Sequence, residues 1–197
     1  MEIDFLTLEP SRRYAMMIRA IMPRPIAWVS TISPAGVSNL APFSYFSGVG
    51  TSPPCLMFSV SGKQDGTPKD TLRNVEAIRE FVVNVVPYSL RQPMAHSASD
   101  YSYEDSEFLR AGLTEAPSRT VRPPRLLESQ INFECRLHEI VRIGSASAVF
   151  GIIQWLHVDD RILDEQAKID PEMLDAIGRL GGQSYTRTRE QFEISND

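Results

Sequence analysis

Residues 26–32 read Ile-Ala-Trp-Val-Ser-Thr-Ile, and the alternation predicts a strand with Ile26, Trp28, Ser30 and Ile32 on one face and Ala27, Val29 and Thr31 on the other. Pro23-Arg24-Pro25 precedes it and Pro34-Ala35-Gly36 closes it as a turn signal, so Val37 to Leu40 returns as the second arm of a hairpin. Leu56 to Val60 predicts a third strand, bounded by Pro53-Pro54 and by the polar loop from Gly62 to Pro68. Leu72, Val75, Ala77 and Ile78 then mark the apolar side of a short helix, capped by Asp70 and running to about Glu80. Phe81 to Val86 is apolar on both faces except at Asn84, which predicts a central strand ended by Pro87.

Residues 89–124 are polar, carry several prolines and hold no sustained period, so an excursion with one or two short helices is expected. Strict alternation resumes at Ile131, Phe133, Cys135 and Leu137, which face in, while Asn132, Glu134, Arg136 and His138 face out in a one-sided antiparallel strand. Ala148 to Val158 is another strand, with Gly151 marking a bend or bulge. Asp170-Pro171-Glu172 has the form of an N-cap, first helical residue and acidic first turn of a helix to about Ile177. Gly181-Gly182 either stops that helix or marks a close backbone approach. Strands outnumber helices and are joined by short turns or irregular loops. The expected fold is therefore mainly β with peripheral helices, a closed or partly closed antiparallel barrel in one domain over residues 1–197.

Composition narrows the partners. A net charge of -5 argues against nucleic acid, which needs a basic face. No apolar run approaches the roughly 20 residues needed to cross a bilayer, and the opening Met1-Glu2-Ile3-Asp4-Phe5 lacks the form of a signal peptide, so a cytoplasmic protein is expected. Cys55 and Cys135 sit in apolar or alternating segments and read as buried hydrophobes. His96, His138 and His157 fall in no ligand pattern, so no structural metal is expected. Gly48-Val49-Gly50 lacks the third glycine and the strand-turn-helix setting of a dinucleotide fingerprint.

The chemistry is concentrated in two stretches. Ser38-Asn39-Leu40-Ala41-Pro42-Phe43-Ser44-Tyr45-Phe46-Ser47 gathers hydroxyls, an amide and aromatic surface. Together with Ser30-Thr31 it offers many neutral donors and acceptors for a heterocycle edge and a polyol chain. For any one of these residues an ordinary strand or turn role is the simpler reading; their density shifts the balance. Trp28, Phe43, Tyr45 and Phe46 either stack on a ring system or fill the core, with Trp28 the stacking candidate. Lys69-Asp70-Thr71 opens a helix, where free N–H groups, a hydroxyl and an ammonium suit a phosphate; the plain alternative is a cap beside a solvated lysine. An acidic Asp70 there requires its carboxylate to be turned back onto the helix.

These residues resemble those of the flavin reductase-like proteins of the FMN-binding split-barrel fold, and within them the flavoredoxin-like group. The similarity runs in order through Pro23 to Thr31, Asn39 to Ser44, Lys69 to Asn74, Phe81 to Asn84 and Gly178 to Gly182. It implies a six-stranded Greek-key barrel that forms a homodimer with FMN near the subunit interface. By position it implies Ser30, Thr31, Asn39, Leu40, Ala41 and Ser44 along the flavin and ribityl chain, with Ser47 a further candidate. It puts Lys69, Asp70 and Thr71 at the phosphate, and brings Arg179, Gly181 and Tyr185 in late, the partner subunit being one source.

One departure limits the transfer. Short flavin reductases carry Gly-Asp-His on a late strand, and Gly144-Ser145-Ala146-Ser147 stands at the corresponding place without the histidine; His157 is the available substitute, though it also reads as a surface residue near a strand end. The functional expectation is a flavoprotein oxidoreductase that keeps its FMN, takes hydride from NADH or NADPH, and passes electrons to a small-molecule or protein acceptor. The alternatives are a reductase that releases reduced FMN and a non-catalytic FMN-binding electron carrier. Because the cofactor carries the redox chemistry, no catalytic side chain is assigned.

Overall fold

The computed structural model describes residues 1–63 and 65–195. In chain order the elements are α1 (Pro10–Ala20), β1 (Arg24–Pro25), β2 (Ala27–Ile32), β3 (Ser38–Phe43), β4 (Phe46–Thr51), β5 (Pro54–Ser61), α2 (Asp70–Ile78) and β6 (Glu80–Val85). The excursion holds α3 (Arg91–His96), α4 (Glu107–Arg110), β7 (Glu115–Ala116) and β8 (Arg125–Leu126). Then follow β9 (Ile131–Ile143), β10 (Ala146–Val158), α5 (Pro171–Leu174), β11 (Ile177–Gly181) and β12 (Ser184–Arg187).

The main sheet is antiparallel, in the order β3-β2-β6-β9-β10-β5-β4. It has seven strands where six were expected, because the exposed, glycine-containing segment Phe46–Thr51 pairs with β5 as an extra edge. The two edge strands β3 and β4 are consecutive in the chain, joined by the bend at Ser44-Tyr45. Tyr45 O accepts from Ser59 N at 2.8 Å, which draws the bend onto β5 and curls the sheet into a split barrel.

The two faces of β2 fall as the alternation predicts. Ala27 and Val29 enter the barrel interior with Phe43, Phe58, Phe81, Val83, Cys135 and Val149, while Leu72 and Val75 of α2 close one side. Phe58 packs on Phe43 and edge-on to Phe81, each with ring centroids 5.3 Å apart. Ile26 and Trp28, on the other face, join Leu40, Met94, Phe108, Leu113 and Leu126 in a second core under the excursion. Gly151 sits at a register break in the β9–β10 ladder, and a Cβ there would lie 2.3 Å from Phe81 Cζ.

The excursion changes the meaning of several positions. Asn132 and Glu134 do face out of the barrel, but both are buried, since residues 117–129 lie across them. Asn84 is covered in the same way: it donates to Trp28 O at 2.8 Å and Ser30 Oγ at 3.3 Å, and accepts from Leu126 N and Asn132 Nδ2, each at 2.9 Å. Glu134 accepts from Arg119 N at 2.7 Å and from Thr120 N and Oγ1 at 2.6 Å, and it bonds His157 Nε2 at 2.6 Å.

Two helices differ from expectation. The cap of α2 is Lys69, whose extended backbone makes Asp70 the first helical residue, and the Asp70 carboxylate reaches Lys63 Nζ at 3.2 Å instead of turning back. α5 stops at Leu174 because Asp175 takes a left-handed conformation and Arg187 holds its carboxylate; Ile177 N then bonds Val86 O at 3.0 Å and starts β11. With β1 and β12 this strand forms a small sheet that the sequence pattern missed. Gly181 has φ +136°, and a Cβ there would lie 3.2 Å from Ile18 O, so the close-approach reading of Gly181-Gly182 holds. α1 was also unanticipated; it buries no residue fully, and its end is capped by Arg24, which donates to Ile18 O and Ile21 O.

Gly151→Ala is expected to cost about 1–3 kcal/mol through overpacking against Phe81. A shift of the urea midpoint at constant slope would report it, and an unchanged midpoint would refute the contact.

Burial pushes the Glu134 carboxyl up, but hydrogen bonds from Thr120 Oγ1, Arg119 N, His157 and Thr120 N together outweigh it and hold it below the ordinary range. A depressed folded value gives stability that is present above the unfolded pKa and lost as pH falls through the folded one. Protection against hydrogen exchange at residues 117–124, measured relative to the intrinsic rate at each pH, should therefore fall on acidification before that of the barrel strands. Simultaneous opening of loop and barrel would argue against it.

Candidate functional site

Strand β3 and the start of α2 face each other across a narrow cleft, closed at one end by the turn after α3. Its lining includes Asn39, Ala41, Pro42, Lys63, Lys69, Asp70, Thr71, Ser97, Ser99 and Glu107. The volume is about 60 Å³, on the order of four water-sized positions, which suits a phosphate-sized group and excludes a tricyclic ring.

Behind the cleft lies a directional network of buried polar groups. Tyr103 OH donates to Asn74 Oδ1 at 2.7 Å, and Asn74 Nδ2 donates to Thr31 Oγ1 at 3.1 Å. Thr31 Oγ1 and Thr71 Oγ1 both donate to Asn39 Oδ1, at 3.2 and 2.9 Å. Asn39 Nδ2 donates to Glu107 Oε1 at 2.6 Å, and Leu40 N donates to Glu107 Oε2 at 3.1 Å. Each donor has one acceptor, so the amide orientation of Asn39 is fixed from both ends.

Several expected site residues change role in consequence. Asn39 has both ends of its amide occupied within the protein, and the Thr71 hydroxyl is turned inward; Thr71 still opens the helix, whose first N–H groups have no intrahelical acceptor. Leu40 does not line the cleft: its N–H holds Glu107 and its side chain lies in the second core. Ser30 lies on the opposite face of β2 from Thr31, donating to Pro124 O at 2.5 Å, so it pins the excursion and does not reach the cleft. Trp28 is 0% exposed and donates Nε1–H to Ser97 Oγ at 2.9 Å. Its ring is core and unavailable for stacking.

Ala41 lines the cleft, half-buried, and Lys69 holds its ammonium 5.9 Å from the centroid of the Phe43 ring. Ser44 is half-buried at the bend, and Ser47 is exposed on β4 with Oγ bonded to Gly48 O at 2.8 Å. Arg179, Gly181 and Tyr185 group on the small sheet instead. Arg179 donates to Tyr185 OH at 2.7 Å and Gly182 O at 2.6 Å, and none of the three lines the cleft. His157 lies ten positions along β10 from Ser147, about 30 Å along a strand, and Glu134 holds it.

Lys63, Ser97, Ser99, Asn74, Tyr103 and Glu107 were not singled out by the sequence reading. Ser97 and Ser99 left a trace as a pair of small hydroxyls, and Asn74 belongs to the run beginning at Lys69. Glu107 left none, since it sits in a polar stretch without period. Its position is telling: it is 6% exposed, and burial is the main cause that pushes its carboxyl above the ordinary range, against hydrogen bonds from Leu40 and Asn39.

A family model described as the flavin reductase like domain matches residues 17–179. An uncharacterized protein of Aquifex aeolicus is 42% identical over 174 residues, covering 88% of this chain and 89% of its own length. Among solved structures, nitrilotriacetate monooxygenase component B from Bacillus cereus superposes with a TM-score of 0.94 at 31% identity, covering 98% of each chain. The 2-nitrobenzoate 2-nitroreductase of Pseudomonas fluorescens gives 0.90 at 30% identity, covering 100% of this chain and 96% of its own. The flavoredoxin of Desulfovibrio vulgaris gives 0.79 at 17% identity, covering 89% of this chain and 92% of its own, a likeness of fold.

Asn39→Ala would leave the Thr31 and Thr71 hydroxyl protons without an acceptor and one Glu107 oxygen without its donor, at roughly 1–3 kcal/mol for each orphaned group. Chemical denaturation should register the loss, and a change below about 0.5 kcal/mol would mean that the network contributes little.

Proposed function

This chain belongs to the flavin reductase-like domain family, and we propose that it is an FMN-binding oxidoreductase that takes hydride from NADH or NADPH and passes electrons to a second acceptor. The observation that carries the reading is the cleft at the start of α2. A lysine at the cap of a nine-residue helix, a second lysine and Ser99 in the turn after α3 converge on a space of phosphate size, while the Ser97 hydroxyl is spent between Trp28 Nε1 and Met94 O. Phosphate chemistry fits this donor set, and the cleft is too small for the ring.

Bound flavin would supply the two-electron redox step, and the protein's residues would bind and orient it. In the proposed arrangement Lys69 and the first N–H groups of α2 hold the phosphate, while Ala41 and the backbone of β3 guide the chain toward the ring. Ser44 and Ser47 would then lie further along, at the bend into β4. Arg179, Gly181 and Tyr185 are proposed to complete the site from the partner of a homodimer, because their own chain holds them on a separate sheet. The absence of a histidine at Gly144 to Ser147, with His157 engaged elsewhere, favours a retained flavin over one released as a product.

Purified protein should stay yellow through extensive dialysis, and the colour should bleach under anaerobic conditions with NADH or NADPH. Loss of colour on dialysis would favour a diffusible flavin, and retained colour without bleaching would favour an electron carrier. Lys69→Ala removes a charge-assisted bond of about 1.5–3 kcal/mol, raising the Kd for FMN about tenfold to a hundredfold. An unchanged Kd would refute the phosphate assignment.

A further inference from the structure

The charges around the cleft do not match a phosphate dianion. Lys63 and Lys69 bring two ammonium groups, whereas Asp70, Asp100 and Glu107 bring three carboxylates. Lys63 is already engaged with Asp70. A monoester dianion entering this space would meet an excess of negative charge, which the helix start offsets only in part.

Glu107 is the group placed to relieve it. Its two oxygens accept from Asn39 Nδ2 and from Leu40 N, and its own backbone N–H is a third donor, so three donors face about four lone pairs and room for one proton remains. It is buried, it lines the cleft, and the Asp70 carboxylate adds to the burial that favours its neutral form. Of the other charged groups near it, Lys69 keeps its ammonium free at the cleft and Lys63 is held by Asp70. On its own side, Arg110 pairs with Asp105 at 3.1 Å. From β7, Glu115 bonds Ser38 Oγ. Strand β3 presents only neutral groups at Ser38 and Asn39, and Asp100 lies exposed at the far end of the cleft.

The geometry points to Glu107 as a proton-linked positioning residue: a phosphate monoester enters this cleft together with one proton from solvent, shared between the Glu107 carboxylate and the phosphate. The bound state then carries one negative charge fewer than its separate components. Glu107 keeps its hold on Asn39 and on the β3 backbone, and the site favours a phosphate ester over an unphosphorylated analogue most strongly at low pH. This inference rests on the cleft being the phosphate site of the proposed function.

The test is titration of the purified full-length chain with FMN and with riboflavin, which differ in the phosphate alone. Above the second phosphate pKa of about 6, uptake of one proton makes the FMN-to-riboflavin affinity ratio fall toward tenfold per pH unit, read from about pH 7 to about pH 9. Calorimetry of the unmutated protein in two buffers of different ionisation enthalpy should count close to one proton taken up with FMN and none with riboflavin. In Glu107→Gln the slope should flatten while riboflavin binding persists. A proton count near zero, or an unchanged slope in Glu107→Gln, would overturn the assignment to Glu107. Equal affinities for FMN and riboflavin at every pH would instead overturn the phosphate-site reading beneath it.

Discussion

Everything that positions the cleft depends on satisfying the polar groups buried on the outer face of the barrel. Asn84 is the tightest case. Its amide makes hydrogen bonds to Trp28 O, Ser30 Oγ, Leu126 N and Asn132 Nδ2, so one side chain links β2, β6, β9 and the excursion. Without the excursion, Asn84, Asn132 and Glu134 would lose partners there, and Ile26, Trp28 and Leu40 would lose their cover. Burial of polar groups is tolerable only when the bonds are complete, which makes the covering layer a matched part of the barrel.

That constraint reaches the cleft through α3 and α4. Packing of Met94 and Phe108 in the second core sets both helices against β2 and β3. Ser97, bonded to Trp28 Nε1, then falls at one side of the cleft, and Glu107 falls against Asn39 and Leu40. A residue expected to stack on a ring thus helps hold one wall of the site from behind. The network from Tyr103 to Glu107 crosses α2, β2, β3 and α4, so the cleft's polar floor is rigid before any ligand arrives.

The same packing explains what could and could not be read from the chain. Alternation exposed β2, β5, β6, β9 and β10 because burying one or both faces of a strand leaves a period in the sequence. β4 is exposed and glycine-containing, and β11 and β12 are short, so none of them shows a periodic apolar stripe; α1 has one in Tyr14, Met17 and Ile18, which went unread although the helix buries no residue fully. Asn132 and Glu134 alternate as solvent-facing residues should, yet they are buried. Alternation says which face of a strand a residue occupies and says nothing about a loop returning from elsewhere.

By itself the sequence determined the class of fold, the two faces of the central strands, the bulge at Gly151 and the use of Lys69 to Thr71 as a helix start, because each follows from local periodicity or backbone preference. Only the tertiary structure decided which hydroxyls point at the cleft and which are spent inside. Thr31, Asn39 and Thr71 turn toward one another, Ser30 holds the excursion, and Glu107 arrives from 67 residues beyond Leu40. Hydrogen-bond partners distant in the chain are chosen by packing, and a one-dimensional pattern of apolar and polar positions carries no record of that choice.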